Sequence, residues 1–480
     1  MVLTNFEQNS SNLYKKLSSN ERSGRAQLAA QITAQSAYQP AYQSKYNPYS
    51  SDQVKKPSWL KSKVKNWPEK LSKWVESHAT DSQLIYLLNY MEQQSKSRLI
   101  VINGYNQKEN RSLNKFKMAA NFFLCFLNFV IVIRFGVLAW LQDDEMRGIL
   151  GDCFIGFFGK EILNATTCIA FFVFASIKLS MAYQEFKAPI TYLCFFNKLR
   201  NIKFRGNKLL LDPQNETKFR KLILVLGYFI IMSTYLVWLP ILMIHLFSMV
   251  TNPFFTYPLF ICQCVWLIPI HISVFLSLQA SWWFFFHLIV GISYATGVFN
   301  SLATFGHRVN NKIIKTNPKE IIAFFQSQQR QFNLIEEVNR QLTWGTFAGY
   351  IFGSLMSELI FFCSTYLGTG SNIVDNLLLY LGLGFFGVLI AFNLFAARTQ
   401  SQIVRCGLNN YRLSTIWPSN YSIYFKASVT FERLSCNTMA FYVGQLFPMD
   451  DFHFLIFFLE NASLYLLLIT NISAKTGRQN

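Results

Sequence analysis

The sequence predicts an all-α polytopic membrane protein with seven transmembrane helices, its amino end inside and its carboxyl end outside. Three observations carry that prediction. Of the 480 residues 51% are hydrophobic and only 14% are charged, more apolar surface than a soluble domain hides in its core. Apolar runs of about twenty residues or more recur along the chain, each long enough at 1.5 Å per residue to cross a hydrocarbon core about 30 Å thick. The basic residues gather between alternate runs. Residues 1–117, 183–221, 307–340 and 398–436 hold 38 of the 44, and the turns on the other side hold almost none.

Taken in order, residues 1–117 form a basic cytoplasmic segment expected to be largely disordered: its first 56 residues are rich in Ser, Gln, Asn, Tyr and Lys and show no apolar period. The start, MVLTNFEQNSSNLYKK, lacks the apolar core of a signal peptide, so the first span is expected to act as its own insertion signal. From Trp59 to Val75 apolar residues at helical spacing sit among Lys and Trp. That pattern fits an interfacial helix on an anionic leaflet, interrupted by Pro68, or a solvated charged linker. Residues 82–94 read as a short amphipathic helix.

Residues 118–302 carry spans one to four, the first over about 118–141 and the second over about 153–182. Arg134 and Glu161 lie in apolar surroundings, where a charge pairs or snorkels; each is the other's expected partner, with a snorkelled Arg134 as the alternative. The loop 183–221 holds nine basic residues against three acids and is cytoplasmic by charge; span three follows over about 222–250. Residues 259–302 are apolar for about 44 positions without a polar hinge, and Pro269 bends a helix without supplying a loop. One long kinked helix continuing past the bilayer is the expectation, and two spans the alternative. Residues 303–341 form a cytoplasmic helical anchor, residues 342–397 carry spans five and six on either side of a GTGSN turn, and residues 398–451 are a second cytoplasmic anchor segment. Span seven covers 452–472, and 473–480 is an extracellular tail.

Catalytic chemistry is not legible. No P-loop, zinc-ligand set or nucleophile elbow occurs, the six His are scattered, and most of the nine Cys sit inside apolar runs. No enzyme, catalytic residue, cofactor or metal is therefore expected. Basic residues spread between spans speak for membrane orientation, not for nucleic acid. A G-protein-coupled receptor has the reverse topology, and its Asp-Arg-Tyr after span three and Asn-Pro-x-x-Tyr in span seven are missing. A transporter would use intramembrane charges such as Glu358, Glu161 and Arg134 along a substrate path and would show internal repeats, of which there is no sign.

The last span carries a more specific pattern. Gly444, Phe447 and Asp450 precede it, and Leu464-Tyr465, the five residues 466–470, then Asn471-Ile472 follow. In spacing this resembles the seventh-helix signature of invertebrate (arthropod) gustatory receptors, of the insect chemoreceptor superfamily: Gly-x-x-Phe-x-x-Asp, then Thr-Tyr, five apolar residues and Gln-Phe. Tyr465 is the identical letter of the last four. The inverted seven-span layout over residues 118–472 is similar to that family's as well. The resemblance implies a chemosensory subunit of a ligand-gated, non-selective cation channel in the plasma membrane, opened by a small organic tastant. It implies a homo- or hetero-tetramer of related subunits whose seventh helices line the pore. Carried onto this chain, the constriction falls on Leu468 and Ile472, with Asn471 as an amide beside it and Tyr465 as the motif tyrosine. The implied ligand pocket lies in the outer half between helices two and six. By depth its candidates are Tyr235, Trp238 and His245 on helix three, Trp266 and His271 on helix four and Tyr380 on helix six.

Overall fold

A computed structural model describes residues 67–107, 114–251, 257–313, 315–416, 420–435 and 439–476. The chain divides into Met1–Lys70, of which only the first helical turn at 67–70 is described, and Leu71–Asn480, the helical bundle. Ten of the thirteen α-helices among the described residues organise the fold: α1 Trp67–His78, α2 Asp81–Ser97, α3 Lys115–Trp140, α4 Lys160–Lys187, α5 Pro213–Thr251, α6 Tyr257–Asn310, α7 Pro318–Phe362, α8 Asn372–Ile416, α9 Tyr421–Ser435 and α10 Asp451–Thr476. Seven of them, α3 to α8 and α10, are long and apolar enough to cross a membrane.

Pro68 opens α1 instead of interrupting it. As the second residue of the helix it lies in the first turn, where its missing N–H costs nothing because that group has no intrahelical partner. Residues 59–66 of the expected interfacial helix lie outside the described residues. Leu84, Leu87, Leu88 and Met91 give α2 a buried apolar stripe, and Leu87 lies so close to Gly227 of α5 that a Cβ there would meet its Cδ2 at 2.2 Å.

The chain then inserts residues 98–107 between the last turns of α4 and the middle of α6. The Glu185 carboxylate accepts the backbone N–H groups of Ile102 (2.6 Å) and Asn103 (2.8 Å), and Lys178 Nζ donates to the carbonyl of Leu99 (3.0 Å). Tyr105, fully buried, bonds His287 Nε2 at 2.7 Å. Residues 71–107 are thus built into the bundle, with the amphipathic helix read over 82–94 lying within α2. Buried polar backbone at 99, 102 and 103 finds its partners on α4, and the N–H groups of Ile100 and Val101 bond Ser95 O of α2.

Span two begins at Lys160, seven residues later than the apolar run proposes. Residues 151–159 turn instead, with Gly151 and Gly159 at φ +70°. Asp152 holds that turn: it accepts from Phe154 N (2.9 Å), Asn164 Nδ2 (3.1 Å) and Arg147 Nη1 (3.0 Å). Arg134 does not pair with Glu161. Arg147 takes Glu161 at 3.4 Å, and Arg134 turns to the carbonyls of Leu150 and Gly151.

The 54 residues of α6 form one helix with Pro269 inside it, about 80 Å long, so the apolar stretch does not fold back on itself. The 45 residues each of α7 and α8 give about 67 Å. All three outrun a bilayer, so the amphipathic segment 318–341 is continuous with span five. Where they project, α9 packs on α7 and α8. There Gln328 and Asn410, both buried, exchange hydrogen bonds at 2.8 Å, and Arg433 of α9 reaches Gln329, Asn333 and Glu336 of α7. A two-residue hairpin pairs Tyr442 with Pro448 and Val443 with Phe447; Asn339 holds it by donating to Ala440 O (2.7 Å) and accepting from Tyr442 N (3.1 Å). It delivers the chain into α10.

Candidate functional site

Four helices close around an apolar cavity of about 30 Å³. Its walls are Phe174 and Ile177 of α4, Ser281, Trp282 and Phe285 of α6, Gly349, Gly353 and Met356 of α7, and Phe385 and Leu389 of α8. Phe174 stands 14 residues into α4, about 21 Å along it, which puts the cavity near the middle of a bilayer. Trp282 stacks on Phe385 at 6.3 Å, and Phe174 packs on the same ring at 5.9 Å. The space exists because α7 carries glycine where it faces α6 and α8. A Cβ at Gly349 would meet Phe285 at 3.1 Å, whereas one at Gly353 would find nothing nearer than Leu389 at 3.9 Å. By volume the cavity has room for about one or two waters, but walls of this kind stay dry. A small apolar molecule is the guest such a lining suits, admitted by rotation of Phe385 or of the pliable Met356.

Cavity and α10 share their walls. Gly353 lines the cavity, and its neighbour Ser354 donates to Asn461 Oδ1 on α10 at 2.7 Å. Phe385 lines the cavity, and Phe386 stacks on Phe457 of α10 at 5.7 Å. Tyr350 completes the contact, 5.2 Å from the Phe457 ring. A guest that displaces Phe385 or α7 at Gly353 therefore works directly on the helices that hold α10.

Most of α10 is exposed: Leu455, Leu459, Leu466 and Leu467 project outward, while Phe457 and Asn461 are buried. Of the sequence-derived pore residues, Tyr465 bonds Thr365 at the far end of α7 (2.6 Å), and Leu468 is half-buried on the same side. Asn471 lies on the exposed side. The side chain of Ile472 lies outside what is described.

The sequence-derived ligand residues divide. Trp238, His245 and His271 come together, His245 Nδ1 lying 3.0 Å from His271 Nε2 and Trp238 edge-on to the His271 ring. Trp266 stands beside them over Arg134. Tyr235 and Tyr380 stay apart, 50% and 45% exposed on the bundle's outer surface. None of the six lines the cavity. The run WWFFF at 282–286 was its available signal, since it places two wall residues on one helix, but only the crossing of four helices shows which rings face one another. Among the described residues no group of three or more His, Cys, Asp and Glu is placed to hold a metal ion.

The fold and these sites define a polytopic seven-helix membrane protein. No protein-family model matches the chain, and no curated protein does. Solved structures do match in fold. The insect olfactory receptor OR5 from Machilis hrabei in complex with eugenol superposes with a TM-score of 0.56 at 13% identity, covering 84% of this chain and 98% of that one. A second structure of the same receptor gives a TM-score of 0.56 at 12% identity, covering 80% of this chain and 98% of that one. The chain has the fold of that insect olfactory receptor over nearly the receptor's whole length.

Proposed function

We propose that this protein is a chemosensory receptor subunit of the gustatory kind, acting as a ligand-gated, non-selective cation channel in the plasma membrane. The observation that carries the reading is the shared wall between the cavity and α10, made by the adjacent pairs Gly353-Ser354 and Phe385-Phe386. A small organic tastant enters the cavity, shifts α7 and α8, and through Asn461 and Phe457 moves α10. The exposed flank of α10 packs against related subunits in a homo- or hetero-tetramer, where Asn471, Leu468 and Ile472 approach the ion path. Basic residues between alternate spans support an amino end inside and a carboxyl end outside. The fold shared with an insect olfactory receptor supports the same class.

Whole-cell recording in cells expressing the full chain, alone and with related subunits, tests the reading. A panel of small tastants should evoke a cation current that reverses near zero, and Gly353→Leu should remove it while leaving surface expression intact. Uptake of a solute without current would favour the transporter reading, and a response that needs a G protein would favour a coupled receptor.

A further inference from the structure

A second polar site lies apart from the cavity, among α3, α5 and α6; Trp282 in the cavity wall is about 24 Å farther along α6 than Trp266 in this corner. At its centre is Arg134, 4% exposed. Its Nε donates to Leu150 O (2.7 Å) and its Nη2 to Gly151 O (2.6 Å). The guanidinium lies over the rings of Phe135 (4.7 Å) and Trp266 (4.9 Å). Nη1 has no partner. Asp152 does not supply one, since its oxygens are committed to Arg147, Asn164 and Phe154 N. A buried guanidinium bonded only to neutral carbonyls and rings keeps much of its desolvation cost.

The side chains around it are also unfinished. Gln263 Nε2 donates to Asp152 O at 3.4 Å, and its Oε1 has no partner. His245 and His271 bond each other and leave His245 Nε2 and His271 Nδ1 unpartnered, as is Trp238 Nε1 beside them. Whichever ring nitrogen carries the shared proton, one free nitrogen of the pair donates and the other accepts. Five side chains with open hydrogen-bonding atoms thus share one corner, in an interior where such groups are ordinarily satisfied.

We propose that this corner is a binding site for a small carboxylic acid, held as the carboxylate by Arg134 Nη1 and by N–H donors of the histidine pair and Trp238, with its carbon skeleton against Trp266 and Phe154. A carboxylate supplies the acceptor that Arg134 Nη1 lacks, and a charge bonded to it directly, where Asp152 is bonded to Arg147 instead. Water supplies only the acceptor, and a metal cation at the histidine pair meets the repulsion of Arg134. Trp238, His245, Trp266 and His271 are among the residues the family resemblance implies for a ligand pocket; the new elements are Arg134, Gln263 and the carboxylate they select, and these do not rest on the channel reading.

The test is the melting temperature of the full-length protein in lipid nanodiscs, titrated at constant ionic strength with acetate, butyrate and benzoate and with the corresponding amides. The expected result is a saturable rise of about a few degrees with at least one acid and none with its amide. Arg134→Met should weaken the response about tenfold or more, and Arg134→Lys should restore part of it. Gln263→Glu places a carboxylate in the corner from within, so this variant should melt higher without any acid and no longer respond to one. Gly353→Leu, which fills the cavity, should respond as wild type, so failure of the tastant reading leaves this result standing. Equal responses to acid and amide, a response retained in Arg134→Met, or no response in wild type overturns the proposal. Should Arg134→Met fail to fold, an acid response retained in Gln263→Glu overturns it alone.

Discussion

The hydroxyl of Tyr465 on α10 lies 2.6 Å from Thr365 Oγ1, just beyond the end of α7. Thr365 already donates to Phe361 O at 2.6 Å, so Tyr465 is the donor of the pair. The bond fastens the middle of the exposed helix to the end of the helix that walls the cavity. Ser354 and Asn461 fasten it again, about one turn earlier on α10 and about three turns earlier along α7.

If these two fastenings set the position of α10, removing one shifts the balance between its positions by about 1 kcal/mol, or roughly fivefold. Tyr465→Phe and Thr365→Val should each displace the half-maximal tastant concentration by about that factor. The double variant should displace it no further than either alone. Additive displacements in the concentration–response curves would show that the two side chains act independently.

The glycine at 353 leaves room that a larger side chain takes up, because a Cβ there has no neighbour within 3.9 Å. Gly353→Leu is expected to cut the tastant response more than about tenfold, at an overpacking cost of about 1–3 kcal/mol. Met356→Ala enlarges the same space and should extend the response to bulkier analogues at a stability cost of about 2–4 kcal/mol. Concentration–response curves over a homologous ligand series, together with thermal melts, check both.

The clasp at residues 98–107 depends on Glu185, which accepts two backbone N–H groups. In Glu185→Leu those groups are buried without a partner, at about 1–3 kcal/mol for each. Limited proteolysis should then cut between residues 98 and 107 at least tenfold faster than in wild type, while the rest of the bundle resists.

Glu92 gives the same region a pH signature. Partial burial pushes its carboxyl up, but hydrogen bonds from Lys96, Tyr105 N and Arg200 outweigh burial and hold it below the usual carboxylate value. A lowered carboxyl in the folded state stabilises at pH values above the unfolded value of about 4.3 and loses that contribution as pH falls through the folded value. The clasp should therefore hold from neutral pH to about pH 4 and loosen below it, by amide hydrogen exchange at residues 98–107. Glu92→Gln should remove the acid step and show faster exchange already at pH 7.

Much of the fold was legible because a membrane span is written in consecutive residues. The seven apolar runs, the single long helix through Pro269 and the turn at 368–372 all follow from length and local composition. Interactions between distant positions were not legible. Nothing in the sequence distinguishes Arg147 from Arg134 as the partner of Glu161; the choice depends on the turn that Asp152 folds. Nor do the apolar patterns of α4, α6, α7 and α8 show which rings meet at the cavity. Depth alone put Trp238, Trp266, His245 and His271, which the structure brings together, in one set with Tyr235 and Tyr380, which it leaves on the outer surface, because depth does not say which way a side chain faces. On α10 Asn461 and Tyr465 are turned toward α7 and the turn that continues it.

The central claim is that α10 borders the ion path of a tastant-gated channel, and Asn471 is the residue through which it is tested most directly. Asn471→Cys should conduct, and a cationic thiosulfonate applied together with the tastant should block its current irreversibly, far faster than without tastant and with no effect on wild type. A tastant-evoked current in Asn471→Cys that survives complete modification of the thiol would contradict the account.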